Sequence, residues 1–296
     1  MPNQDFYTID HDLAASLAGS RPAMFVFLDG YMDAGQIGTQ LKEFLLEDAD
    51  AAVLARFDSD LVHDYRARRP QLIFDTDSWK DVDEPELMLQ VAHDGKGAPY
   101  LVLAGPEPDF RWHGLRDALI DLVEQLDVSL VFAAHGVPMA VPHTREVPLT
   151  THATDIELRT ENPRWVDRLT VPGSFASYLE FCLGRVGRSA MGIAAHVPHY
   201  LTQGTFTRPA LEVAGRMAAA TGLDLPLEKL AEKARANDET IGAEVADNPE
   251  AAEVIGALEH QFDEFQAAAD EQLPSAEELG AAFQQFLAQQ DGPDQR

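Results

Sequence analysis

Two hydrophobic periods share the chain, and each change of period marks an element. Residues 24–28 form a continuous apolar run of β type, residues 29–33 supply turn chemistry, and Ile37, Leu41, Phe44 and Leu45 then fall on one helical face. Residues 52–57, 71–75, 87–92 and 100–104 read as further strands. Leu115, Leu119, Leu122, Val123 and Leu126 give residues 111–126 a helical stripe, and residues 129–134 follow at once as a buried strand. Next come a strand over 154–160 and a helix over 174–186, with Phe175, Leu179, Cys182 and Val186 on its inner side. A strand over 189–196 and a helix over 210–220 complete the alternation. Strands alternating with helices imply parallel pairing, right-handed crossovers and a three-layer α/β/α sandwich with a mainly parallel sheet.

Past Gly222 only the helical period remains, so the pattern divides the chain into a sandwich over residues 1–223 and a helical segment over 224–296. Val254, Leu258, Phe262 and Phe265 make one stripe, opened by Asn248 as cap and Pro249 in the first turn. Leu279, Phe283, Phe286 and Leu287 make a second, opened by a capping box of Ser275 and Glu278. Residues 292–296 carry no pattern and are expected to fray.

Composition narrows the class. With 296 residues, 45% of them hydrophobic, the chain can bury a core without disulfides or metals. Its single Cys182 cannot form an intramolecular disulfide, and the first residues lack the features of a signal peptide. No apolar stretch reaches membrane-spanning length. A soluble cytoplasmic protein is expected. The net charge of −28 argues against nucleic acid and anionic membranes as partners. Half of that charge lies in residues 224–296, with 18 acidic and 4 basic residues.

Three segments stand where a strand gives way to glycine, proline and polar residues: 24–35 (MFVFLDGYMDAG), 135–147 (HGVPMAVPHTREV) and 194–201 (AAHVPHYL). These are the places where an open α/β sheet presents a ligand or partner surface, so all three are expected at strand C-terminal ends. The candidate surface residues are Asp29, Gly30, Asp33, Gly35, His135, His143, Thr144, Arg145, His196 and His199. Gly30 to Gly35 has the glycine spacing of a phosphate loop, but Gln36 and Ile37 replace its lysine and hydroxyl residue, so triphosphate hydrolysis is not expected. What remains is either a backbone N–H nest for an anion or a partner's carboxylate, or a tight strand-to-helix turn. Residues 75–86 resemble a calcium-loop frame, but Trp79 and Lys80 block it, and a solvated acidic loop is expected. The histidine spacing gives no complete zinc set, so neither metal nor cofactor is expected. Cys182 reads as a small core residue, and residues 66–69 (RARR) as a solvated loop. Arg145, on a loop stiffened by Pro138 and Pro142, can grip a carboxylate or phosphate in two-point fashion or pair with an acidic residue across a subunit contact, and it reads first as a fold and interface determinant.

Together these segments resemble the proteasome assembly chaperone 2 family, in its bacterial branch, over roughly residues 22–222. The resemblance implies a fold similar to the nucleoside phosphorylase and hydrolase superfamily and a homo-oligomer. It also implies the non-enzymatic role of the eukaryotic relatives, which help assemble the proteasome α ring. Some archaeal relatives dock through a hydrophobic-tyrosine-any-residue tail, whereas residues 293–296 here read PDQR, so docking by that tail is not expected. The expected function is a homo-oligomeric interaction or assembly protein, with itself and proteasome subunits as partners. The alternative is an enzyme acting on a nucleoside-like or amide-containing small molecule in a strand-end pocket.

Overall fold

A computed structural model describes residues 6–47, 49–159 and 168–271. The apolar run at the first segment is β2 (Ala23–Asp29), whose first five residues are buried. It lies between β7 (Pro99–Pro106) and β8 (Leu130–Met139), and β8 in turn pairs with β10 (Ala190–Pro198). These four central strands are mutually parallel. Buried on both faces, they need no alternation, which is why they read as unbroken apolar runs. Beyond β7 the sheet continues antiparallel through β6 (Met88–His93), β3 (Ala52–Phe57) and β1 (Tyr7–Ile9), and beyond β10 it ends in antiparallel β9 (Leu149–Ala153). Five of the eight strands point the same way.

Helices cover both faces. On one, α4 (Trp112–Gln125) and α5 (Phe175–Arg185) bury Leu115, Leu119, Leu122, Leu179 and Leu183 against Met24, Val26 and Val131. Short α1 (His11–Ser16) and α3 (Ser59–Val62) lie at this side's periphery. On the other face, α2 (Ile37–Leu46) and α6 (Thr207–Thr221) pack Leu41, Leu45, Val213 and Met217 on Phe25, Phe132 and Ile193. Leu230 and Ile241 of α7 (Leu227–Ala246) join that same core. The chain then turns into α8 (Pro249–Glu271), where Asn248 accepts the Ala251 N–H at 3.2 Å as its cap.

Four expectations need correction. The strand placed at 154–160 is β9, five residues earlier; Ile156 lies instead in a 3-10 turn, 77% exposed, because pairing with β10 ends at Ala153. The acidic stretch after Asp75 is not a loop: β4 (Gln71–Asp75) and β5 (Ser78–Asp83) pair into a separate two-stranded ribbon. In α5 the inward positions are Phe175, Leu179 and Leu183, so Cys182 is half-buried and Val186 exposed. In α8, Ile255 rather than Val254 shares the buried face with Phe262. The second C-terminal stripe and residues 292–296 lie outside the described residues.

Candidate functional site

Parallel pairing decides where the three segments meet. Register pairs Ala194 with His135 across β10 and β8, and Ala23 with Leu130 across β2 and β8, so all three segments end at the same edge of the sheet. The close approach there depends on Gly136, where a Cβ would stand 1.8 Å from the Ala34 carbonyl oxygen.

Asp33 organises the first segment. Its carboxylate accepts the Gly38 and Thr39 N–H groups at 2.9 and 3.1 Å, the Thr39 hydroxyl at 3.3 Å, and the Gly136 N–H at 3.2 Å. The anion seat that the N-terminus of α2 offers is therefore filled by the chain's own carboxylate. Gly30 and Gly35 hold positive φ angles of 124° and 67°, and Gly35 donates its N–H to the Thr202 carbonyl. Asp29 is held by Lys42 at 3.0 Å. Nearby, Arg68 is no solvated loop residue: it bonds the Glu107 carbonyl and the Asp109 carboxylate.

A pocket of about 220 Å³ opens beside this turn, between the sheet and the N-terminal half of α5. Of the expected residues, Asp29, Gly30, Asp33 and His135 line it. Burial lowers the pKa of His135, with the nearby His152 adding to that effect and Asp33 opposing it. Two lining residues that sequence reasoning missed form the main polar feature: His152 Nδ1 lies 2.8 Å from Glu180 Oε1. Their seat depends on Gly192, directly opposite His152 in register, where a Cβ would lie 2.2 Å from the imidazole Cε1. The available signal was that glycine inside a strand, a sign of close approach. Tyr31 stacks edge-on against His135 with centroids 5.8 Å apart, and its hydroxyl bonds the Pro172 carbonyl.

His143, Thr144 and Arg145 are drawn elsewhere, under α8. Arg145 grips Asp263 in a two-point pair, 2.8 Å at each contact, and reaches Glu259 at 3.1 Å; Thr144 also bonds Glu259. The guanidinium holds the Asp263 carboxyl below its usual range. His143 is buried with Nδ1 2.8 Å from the Tyr200 hydroxyl, and burial and then Arg208 lower its pKa. His196 pairs through Nε2 with the Thr150 hydroxyl at 2.8 Å, and burial lowers its pKa to about 4. His199 is exposed in a 3-10 turn. The ten residues thus separate into a pocket wall, a helix dock and scattered positions.

Among the described residues, no group of three or more His, Cys, Asp or Glu side chains is placed to hold a metal ion, and no helix is long and apolar enough to cross a membrane.

Comparison with known proteins gives consistent results. The family model described as the PAC2 family matches residues 27–245. A Mycobacterium tuberculosis protein of unknown function, Rv2714, is 34% identical, with 90% of this chain and 92% of that one covered and a TM-score of 0.83. A Corynebacterium glutamicum protein of unknown function is 32% identical, with 87% and 97% covered and a TM-score of 0.80. The M. tuberculosis proteasome-assembly chaperone homologue Rv2125, at 21% identity, 79% and 99% coverage and a TM-score of 0.69, shares the fold. No curated protein matches. With the match spanning most of the sandwich and three of the four central strands complete within it, the chain belongs to the PAC2 family.

Proposed function

We propose that this chain is a non-catalytic, homo-oligomeric interaction protein of the assembly-chaperone kind, with proteasome subunits as candidate partners. The β4–β5 ribbon carries the reading. Leu72, Phe74 and Trp79 are 51%, 57% and 65% exposed, and Val82 is also open to solvent. Leu72 faces Val82, and Phe74 faces Trp79 with ring centroids 5.0 Å apart, so alternation gathers them on one face. A two-stranded ribbon is marginal alone, and an apolar face of this kind on a soluble chain marks a contact with another protein. The strand-end polar groups support the same reading, because Asp33, His143 and Arg145 are engaged within the chain.

Sedimentation of the full chain, alone and with purified proteasome α subunits, tests the proposal. A self-associated species that also carries α subunits is expected. A 32.5 kDa monomer that leaves the α subunits unbound contradicts it.

One observation favours a second reading, an enzyme acting on a nucleoside-like or amide-containing small molecule. His152 lines the pocket with Nδ1 2.8 Å from Glu180 Oε1, a carboxylate-oriented imidazole of the kind a general base uses. Turnover of such a substrate that disappears in His152→Ala would establish that reading, and its absence across nucleosides and small amides would remove it.

A further inference from the structure

The ribbon has a complementary surface on the chain itself, at the opposite corner of the sheet. It leaves the sheet between β3 and β6, at the edge where β2 ends. At the other end of the strand order, where β9 ends and β10 begins, Ile156, Phe181 and Val186 are exposed. The elements that carry them meet at Thr154. Its hydroxyl accepts the Ala190 N–H at 2.9 Å, its methyl would sit 2.8 Å from a Cβ on Gly184, and its carbonyl accepts from Arg159.

Charge follows the same division. The ribbon carries Asp75, Asp77, Asp81 and Asp83 against Lys80 alone. The corner carries Arg159, Arg185 and Arg188 against Asp155 and Glu157 of the adjoining turn and Glu124 beside Arg188, so it lacks the ribbon's acidic excess. Among the described residues, Arg159 bonds only backbone carbonyls and Arg185 lies 5.9 Å from the Phe181 ring centroid, so neither is spent on a carboxylate. Arg188 is shared with Glu124 at 3.5 Å.

We infer that the β4–β5 ribbon of one copy docks on the β9–α5 corner of the next, apolar face to apolar face, with the ribbon's aspartates meeting Arg159 and Arg185. This rests on the homo-oligomer reading and names its contact. The chain cannot satisfy the corner with its own ribbon, because strands about 4.8 Å apart put the two roughly 25 Å from each other across the sheet. Two different patches meeting produce a head-to-tail contact, which closes into a ring or grows into a filament according to the rotation between copies. Local attraction also offsets the repulsion between copies that each carry a net charge of −28.

Charge reversal in the full chain tests the contact, read by light scattering over a range of concentrations. Arg159→Glu with Arg185→Glu, and separately Asp81→Lys with Asp83→Lys, should each weaken self-association at least tenfold, roughly the effect of placing like charges face to face. Mixing the two variants should restore association, since each then offers one altered surface to its reversed counterpart. Far-UV circular dichroism should match wild type, because all four side chains are exposed; Arg185→Glu alone serves if the Arg159 change disturbs β9. A wild-type chain that is monomeric removes the homo-oligomer reading and this contact with it. An oligomeric wild type whose variants keep its mass leaves that reading standing and overturns the contact, assigning the ribbon to a different protein. Weakening without restoration on mixing also overturns it.

Discussion

The His143–Arg145 loop and the β4–β5 ribbon both leave the sheet at the edge where its central parallel strands end, yet they meet different fates. Over the loop lies α8, which supplies carboxylates from Glu259 and Asp263 and buries Ile255 and Phe262. Among the described residues nothing covers the ribbon: every residue of β4 is exposed, and so is all of β5 after Ser78. The loop's chemistry is completed by the chain itself, and the ribbon's apolar face stands open, the surface we propose for another chain. A polar cluster at a strand end is therefore weak evidence of a ligand site until its internal partners are known.

Breaking the scaffold common to both regions should have the largest effect on stability. Gly136→Ala forces a Cβ onto the Ala34 carbonyl, and a loss of about 3 kcal/mol or more is expected in urea unfolding. Acid should come next, acting through a buried histidine of β10. The folded-state pKa of His196 is about 4, below the ordinary 6.5, so burying the neutral ring stabilises fully above pH 6.5, and that stability is lost as pH falls toward 4. Melting curves across that window should show wild type losing on the order of 3 kcal/mol more than His196→Gln. Burial depresses His143 as well, so some sensitivity should persist in that variant.

A smaller and local effect is expected at the dock. Phe262→Ser should loosen α8 by on the order of 2 kcal/mol, read as faster amide exchange across residues 249–271, while the central strands stay protected. Arg145→Gln should act in the same direction, because it leaves Glu259 and Asp263 without the cation between them, and added salt should mask the difference.

How much of this was legible follows from sequence distance. Unbroken apolar runs such as residues 24–28, and helical stripes such as Leu115–Leu119–Leu122, report burial directly, so the sandwich and the meeting of the three segments could be read. The second strand of the ribbon could not, because residues 78–83 (SWKDVD) face water on both sides and carry no buried alternation. Nor could the partner of Arg145, which lies 118 residues away on a helix whose inner face turned out to hold Ile255 rather than Val254. His152 escaped notice because β9 was displaced toward residue 160, which took His152 out of the sheet and away from Glu180.

Phe74→Ser with Trp79→Ser should loosen the ribbon by no more than about 1 kcal/mol, the worth of their mutual ring contact, and leave the sandwich core unchanged, since neither side chain belongs to it. Their expected role lies between chains, which makes this variant the most direct probe of the central claim. Light scattering of wild type beside the double variant, at matched concentrations, should show a multiple of 32.5 kDa falling toward 32.5 kDa. Equal masses for the two proteins would contradict the account.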